Sequence, residues 1–336
     1  MSHRAYMAMV DPEFAQAAAA MPARAAVEDV TVQRQQFQGF VDLMNAKTKS
    51  SLPPVMEYRL ENHKVPVDGG DINVRCFIPT SQVENNHPLL VWYHGGGWCV
   101  GTSDIDDHFL RHVCVTKQVS IVSVDYRLAP EHPYPTPNND CYYALKWAAE
   151  NAEILNVSLT TGFIVAGISS GGNAAVIVAR RAASDPYFST RPLTGQILQV
   201  PVIFHSSGIS EQWKSEILSR TEFTNDPFLS QRSIQRVERL YQADTHDPDA
   251  WPLLQPSHGQ LPPTVIQICG RDPLRDENFL FERELRQAGV QTRLYKYPGV
   301  PHGFHVFFPG LKLAKRFHEE FHESIRWLSD GARDQS

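Results

Sequence analysis

Residues 163–183 read Phe163-Ile-Val-Ala-Gly167-Ile-Ser169-Ser-Gly171-Gly-Asn-Ala-Ala-Val-Ile-Val-Ala-Arg-Arg-Ala-Ala183. Phe163–Ala166 is a short continuous apolar run, the mark of a strand buried on both faces. Gly172–Ala183 is a small-residue helix. Between them lies Gly167-Ile168-Ser169-Ser170-Gly171, a G-x-S-x-G pattern. At ordinary glycine and serine frequencies about 0.1 such matches arise by chance in a chain of this length. The pentapeptide alone therefore decides little, and a glycine-rich turn with a spectator serine is its plainer reading. The strand before it and the helix after it make it a sharp strand–turn–helix elbow. Such a turn strains the serine backbone and needs small residues where strand and helix meet. Ser169 then projects its hydroxyl from the C-terminal edge of a sheet.

Working outward, short apolar runs alternate with helical stretches. Leu89–Tyr93, Val119–Val124, Ile197–Phe204, Thr264–Cys269 and Thr292–Tyr297 read as further strands. Helices are expected near Ile105–Lys117, Asn139–Glu150, Glu277–Ala288 and Leu311–Leu328. Continuous apolar strands between helices imply a parallel sheet covered on both faces. Tyr58–Val67 and Asp71–Ile78 alternate around Asp68-Gly69-Gly70, a hairpin signal. They bring the count to eight. Two stretches break the rhythm. Residues 1–55 are helical in pattern, with Phe37, Phe40, Val41 and Met44 on one face. Residues 205–261 hold no strand but carry Trp213, Phe223, Phe228, Tyr241 and Trp251. A gap that long is usually functional or separately folded, so a helical insertion packed with the N-terminal helices is expected.

Two loops supply what a serine nucleophile needs. His94-Gly95-Gly96-Gly97-Trp98 follows the strand Leu89–Tyr93. Consecutive glycines let backbone N–H groups converge, as the oxyanion of an acyl-transfer intermediate requires. With the Ser170 amide they would form an oxyanion hole. A plain flexible loop is the alternative. A serine hydroxyl also needs a base, and the base an orienting acid. Asp272 and His302 each stand just past a strand end, in the order Ser, Asp, His. Asp276 lies one helical turn beyond Asp272 and should fall inside the helix. His305 is flanked by Phe304, Val306, Phe307 and Phe308 and reads as a packed histidine.

Other patterns are set aside. His318-Glu319-Glu320-Phe321-His322 matches H-E-x-x-H, but only a short tail follows, with no later histidine to complete a zinc site. Both histidines are expected beside the buried face of that helix, near solvent. His108 and His112 lack a third converging ligand, and the aspartates at 104, 106 and 107 suit a helix N-terminus. Cys76, Cys99, Cys114, Cys141 and Cys269 are odd in number, form no CxxC and read as buried hydrophobes.

The chain has 336 residues, 42% hydrophobic and 20% charged, with net charge −6. A chain this long can bury its own core. No Lys/Arg run suggests nucleic acid, and no apolar run approaches the roughly 20 residues of a membrane span. Met1–Ala26 is broken by Asp11, Pro12 and Glu13 and lacks the apolar core of a signal peptide, so a cytoplasmic protein is the default.

Taken together, His94–Trp98, Asp125–Glu131 (Asp-Tyr-Arg-Leu-Ala-Pro-Glu), Gly167–Asn173, Gly270–Glu277 and His302–Phe304 resemble the hormone-sensitive-lipase-like serine esterases of the α/β-hydrolase fold, fungal members included. The resemblance covers about Tyr58 to Leu328. It implies a mostly parallel eight-stranded sheet with helices on both faces and a helical cap. The cap would be residues 1–55 and 205–261, and the core residues 56–204 and 262–336. It implies Ser169, Asp272 and His302 as catalytic residues and Gly95, Gly96, Gly97 and Ser170 as the source of oxyanion donors. Trp98, Ile168 and Trp213 are expected to bind substrate. Ile168 stands where the family often has Asp, and Ser170 where it usually has Ala. Both leave the catalytic groups in place. No metal or cofactor is implied. The expected partner is a small, uncharged ester with a short to medium acyl chain, and the oligomeric state is open between monomer and homodimer. A specialised thioesterase, lactonase or deacetylase of a polyketide-type metabolite is the alternative within the class. A binding protein without catalysis is the alternative outside it, and the presence of His302 argues against that.

Overall fold

The computed structural model describes residues 2–21, 27–80 and 86–333. Eight strands form one sheet: β1 (Tyr58–Val67), β2 (Gly70–Pro79), β3 (Leu89–Tyr93), β4 (Ser120–Asp125), β5 (Phe163–Ile168), β6 (Gly195–Gln199), β7 (Thr264–Cys269) and β8 (Thr292–Tyr297). Their spatial order is β1-β2-β4-β3-β5-β6-β7-β8. β1 and β2 form an antiparallel hairpin, β2 is antiparallel to β4, and every later pairing is parallel. Each residue of β3, β5, β6 and β7 is buried. That is why these strands are largely apolar rather than alternating, with the buried exceptions paired across the sheet, Gln196 on Thr264 and Gln199 on Gln267.

The N-terminal stretch holds α1 (His3–Ala8), α2 (Pro12–Ala19) and α3 (Val30–Thr48). Positions 1 and 22–26 of the helical reading lie outside the described residues. Asp11 and Asp29 begin α2 and α3 by accepting first-turn N–H groups. The later helices are α4 (Asp107–Lys117), α5 (Thr136–Glu150), α6 (Ser170–Ser184), α7 (Ser219–Glu222), α8 (Gln231–Tyr241), α9 (Arg275–Gln287), α10 (Phe304–Phe307) and α11 (Lys312–Ser329). α4 and α11 cover one sheet face through Leu110, Val113, Phe317, Phe321 and Ile325. α5, α6 and α9 cover the other through Leu145, Ala175, Val178, Phe281 and Leu285. A third cluster joins Trp98 to Ile234, Tyr241, Trp251 and Leu274.

Two expectations need correction. The strand expected at Ile197–Phe204 ends at Gln199. Val200 takes a positive φ of 42° and Pro201 lies against Gly172 at the start of α6. Residues 200–204 stay buried as loop, with their polar groups met by side chains. Ile203 N donates to Glu277 and Asn173 donates to the Val202 carbonyl. Apolar content marked burial there and not ladder pairing. His318 and His322 are half-buried rather than near solvent. They face α4, where His318 lies 4.8 Å from the Phe109 ring, and the Nε2 of His322 is buried.

Candidate active site

β5 delivers Ser169 at φ 57°, ψ −117°, between the strand and α6. A serine is strained there, and the surroundings hold it. Its N–H donates to the Gln199 carbonyl at 2.8 Å, and its carbonyl accepts from Asn173 and Val202. The flanking glycines are required by contact. A Cβ on Gly167 would stand 2.3 Å from the Gly171 carbonyl oxygen, and one on Gly171 would stand 2.0 Å from that of Tyr93.

The loops after β7 and β8 bring Asp272 and His302 to the same edge. His302 Nδ1 lies 2.7 Å from Asp272 Oδ2, and its Nε2 lies 3.0 Å from Ser169 Oγ. Asp272 is fully buried, and its second oxygen accepts from Leu274 N. An ionised carboxylate there keeps the proton on Nδ1, so Nε2 is the nitrogen that accepts from the serine hydroxyl. Asp276 is occupied elsewhere. It accepts from Leu218 N and Ser219 N and pairs with Arg4 and Arg275. His305 stacks on Phe317 at 4.0 Å, and burial pushes its pKa well below the ordinary histidine value.

The glycine loop arches over the serine. Gly95 lies against Ile168 and Ser169. Gly96, Gly97 and Trp98 all have positive φ, at 125°, 60° and 59°. The N–H groups of Gly96, Gly97 and Ser170 meet no acceptor among the described residues. The loop is braced from below. His94 stacks on Tyr126 at 4.2 Å, and the Tyr126 hydroxyl donates to the His94 carbonyl. Trp98, whose backbone is strained, is clamped by a 4.1 Å stack on Tyr241 and an edge contact with Trp251.

A cavity of about 290 Å³ opens onto Ser169 and His302. Gly95, Gly96, Gly97, Trp98 and Ile168 line it, with Phe37 from α3, Val202, Phe228, Ile234, Val237, Leu274, Val306 and Phe307. Trp213 is not among them. It sits in a turn at 211–213 and packs on the core cluster that includes Phe204, Ile217 and Phe281. The binding role expected for it is therefore withdrawn. Asp106 also borders the cavity, bonded to Trp92 Nε1 at 2.8 Å, and burial lifts its pKa to about 6. No group of side chains able to hold a metal occurs among the described residues.

Residues 90–306 match the sequence profile of a family described by the alpha/beta hydrolase fold. The chain belongs to that family. The hydrolase is 36% identical over 269 residues to a carboxylesterase, NlhH, of Mycobacterium tuberculosis, covering 78% of this chain and 80% of that one. It is 33% identical over 294 residues to the versiconal hemiacetal acetate esterase of Dothistroma septosporum, with 86% and 88% covered. Among solved structures it is similar to vibralactone cyclase, with TM-score 0.94, 41% identity and 98% and 97% of the two chains covered. These relatives place the hydrolase among the hormone-sensitive-lipase-like enzymes, as a carboxylic ester hydrolase. No helix among the described residues is long and apolar enough to cross a membrane.

Proposed function

We propose that Ser169 is the nucleophile, His302 the general base and Asp272 its orienting acid in cleavage of small, uncharged carboxylic esters. The hydrogen-bonded series Asp272–His302–Ser169 at the mouth of an apolar cavity carries this reading. His302 Nε2 takes the hydroxyl proton as Ser169 Oγ attacks the ester carbonyl. The oxyanion is held by N–H groups of the loop Gly95–Gly97 and of Ser170, and that those of Gly96, Gly97 and Ser170 meet no acceptor among the described residues suits that task. His302 then gives the proton to the departing alcohol oxygen. Water repeats the cycle and frees the acid. α3 and residues 205–261 act as the cap, since both supply the cavity's apolar wall.

One observation favours a second reading, the likeness to vibralactone cyclase. If a hydroxyl of the bound acyl group intercepts the acyl-enzyme instead of water, the product is a lactone. Product analysis with a hydroxy-ester separates the two, since hydrolysis yields the hydroxy acid and ring closure the lactone.

The decisive test is Ser169→Ala. Hydrolysis of p-nitrophenyl butyrate should fall by about 10⁴-fold or more, and labelling by a fluorophosphonate probe should vanish. A variant that keeps its activity, or a probe found on another residue, overturns the assignment.

A further inference from the structure

A second, larger hollow also borders α3. This groove has a volume of about 740 Å³ and runs between Arg34, Gln38, Thr102, Tyr126, Arg127 and Leu128. Phe37 lines both it and the 290 Å³ cavity over Ser169. Nearby, the chain neighbours Val100 and Gly101 line the cavity and the groove respectively. The half-buried ring of Phe37 packs on the small cluster of Cys99, Val100 and Ala129. Its position is held from one helical turn before. Arg34 donates to the carbonyls of Cys99 and Ala129 at 2.7 and 2.8 Å and forms a two-pronged pair with Glu131. α3 is thereby pinned to the backbone just past the glycine loop, with Phe37 standing between the two hollows.

The side of the site on which this partition stands follows from the chemistry. His302 must hand a proton to the departing oxygen, so the alcohol portion of the ester lies on the His302 side of Ser169. That side is walled by Gly303, Val306 and Phe307. Phe307 lies against Phe40 in a tilted ring contact at 5.3 Å, and Phe40 against Phe37 in another at 6.4 Å. We propose that Phe37 sets the length of the alcohol group that the enzyme accepts, by closing the catalytic cavity off from the 740 Å³ groove. At 290 Å³ the cavity on its own stands at the foot of the size range of small-molecule sites, about 300–1,000 Å³. Joined to the groove, it would take a long alkyl alcohol along Tyr126, Leu128 and the aliphatic stems of Arg34 and Arg127. This inference rests on the assignment of Ser169 and His302 made above.

The test compares two ester series in three proteins: wild type, Phe37→Ala and Phe37→Trp. One series is alkyl acetates from ethyl to octyl, and the other is p-nitrophenyl esters from acetate to octanoate. The readout is the ratio of kcat/KM, octyl over ethyl or octanoate over acetate. Each extra methylene that finds an apolar wall is worth up to about fourfold. Phe37→Ala should raise the alkyl-acetate ratio about tenfold or more, and Phe37→Trp should lower it, while the acyl ratio holds within about threefold. A general loosening of the fold would move both ratios, or move both variants in the same direction. Unchanged alkyl ratios, or a shift confined to the acyl series, overturn the proposal and leave the triad standing. A wild type that cleaves none of the esters and takes no fluorophosphonate overturns the triad reading beneath it.

Discussion

Asp272 shows how single residues define this site. It is fully buried, with one carboxylate oxygen on His302 Nδ1 and the other on Leu274 N. Asp272→Asn keeps the shape and Leu274's acceptor but offers His302 an amide, which favours the wrong tautomer. Activity should drop about 10³–10⁴-fold with little change in thermal stability, and a loss under tenfold would mean that His302 is oriented by something else. The three residues of this chain are legible in the sequence because each follows a parallel strand, and parallel strands share one catalytic edge. The cavity wall is not legible in that way. Trp213 and Phe37 are both aromatic residues of helical segments, yet one packs on the core and the other lines the cavity that opens onto the serine. That difference arises from the path of the intervening chain, which no local pattern encodes. Phe37 carried a faint signal, since a helix whose apolar stripe precedes the sheet domain must cover something.

Among the elements, the pair α4 and α11 carries an unusual burden. His108 and His112 on α4 face His318 and His322 on α11, with ring centroids 4.7 Å apart within the α4 pair. His305 on α10 adds its edge to His318 at 5.6 Å. Burial holds all five below the ordinary histidine pKa, with His318 and His322 near about 4. Lys117 and the neighbouring histidines push the same way, while Asp107 opposes at His108. Because the unfolded chain takes up these protons first, their contribution is complete above about pH 6.5 and is lost as pH falls toward 4. Asp106 and Glu277, raised to about 6 and about 7 by burial, have the opposite sign and favour the folded state at low pH. The informative measurement is therefore a difference. His322→Gln should flatten the fall of Tm between pH 6.5 and 4 relative to wild type, and parallel curves would exclude the histidine face as its source. The H-E-x-x-H spacing placed two histidines on one side of a helix correctly. What it could not show was that the facing element is another histidine pair, so burial was underestimated. The overrun of β6 has the same origin, since an apolar run reports burial and leaves hydrogen-bond pairing undecided.

At the scale of the whole molecule, the first twenty residues strap together the two loops that carry Asp272 and His302. Met7 O accepts from Gly299 N at 2.9 Å, and Asp11 N donates to Gly299 O at 3.1 Å. Arg271 reaches the Ala8 carbonyl, and Arg4 pairs with Asp276. Met7 and Phe14 are buried. Both bonds to Gly299 are backbone to backbone, so side-chain patterns gave no hint of them, and Gly299 could pass for an ordinary turn residue. The contact is close enough to be tested by a cycle. A Cβ on Gly299 would stand 2.3 Å from Asp11 N and 2.4 Å from the Met9 carbonyl oxygen, on a backbone with φ +78°. Gly299→Ala therefore carries two penalties in the full chain, the positive φ and the clash with the strap. In a chain lacking residues 2–20 only the first remains. Gly299→Ala should thus destabilise the full chain more than the shortened one, with a coupling of about 1–3 kcal/mol from denaturant unfolding. The shortened chain should itself show lower kcat on p-nitrophenyl butyrate, because Asp272 and His302 are then held from one side only. Additive effects would mean that the strap covers the loops without pressing on them. A coupling of the expected sign would make the N-terminal segment part of what positions the triad, although it lies far ahead of the sheet, which begins at Tyr58.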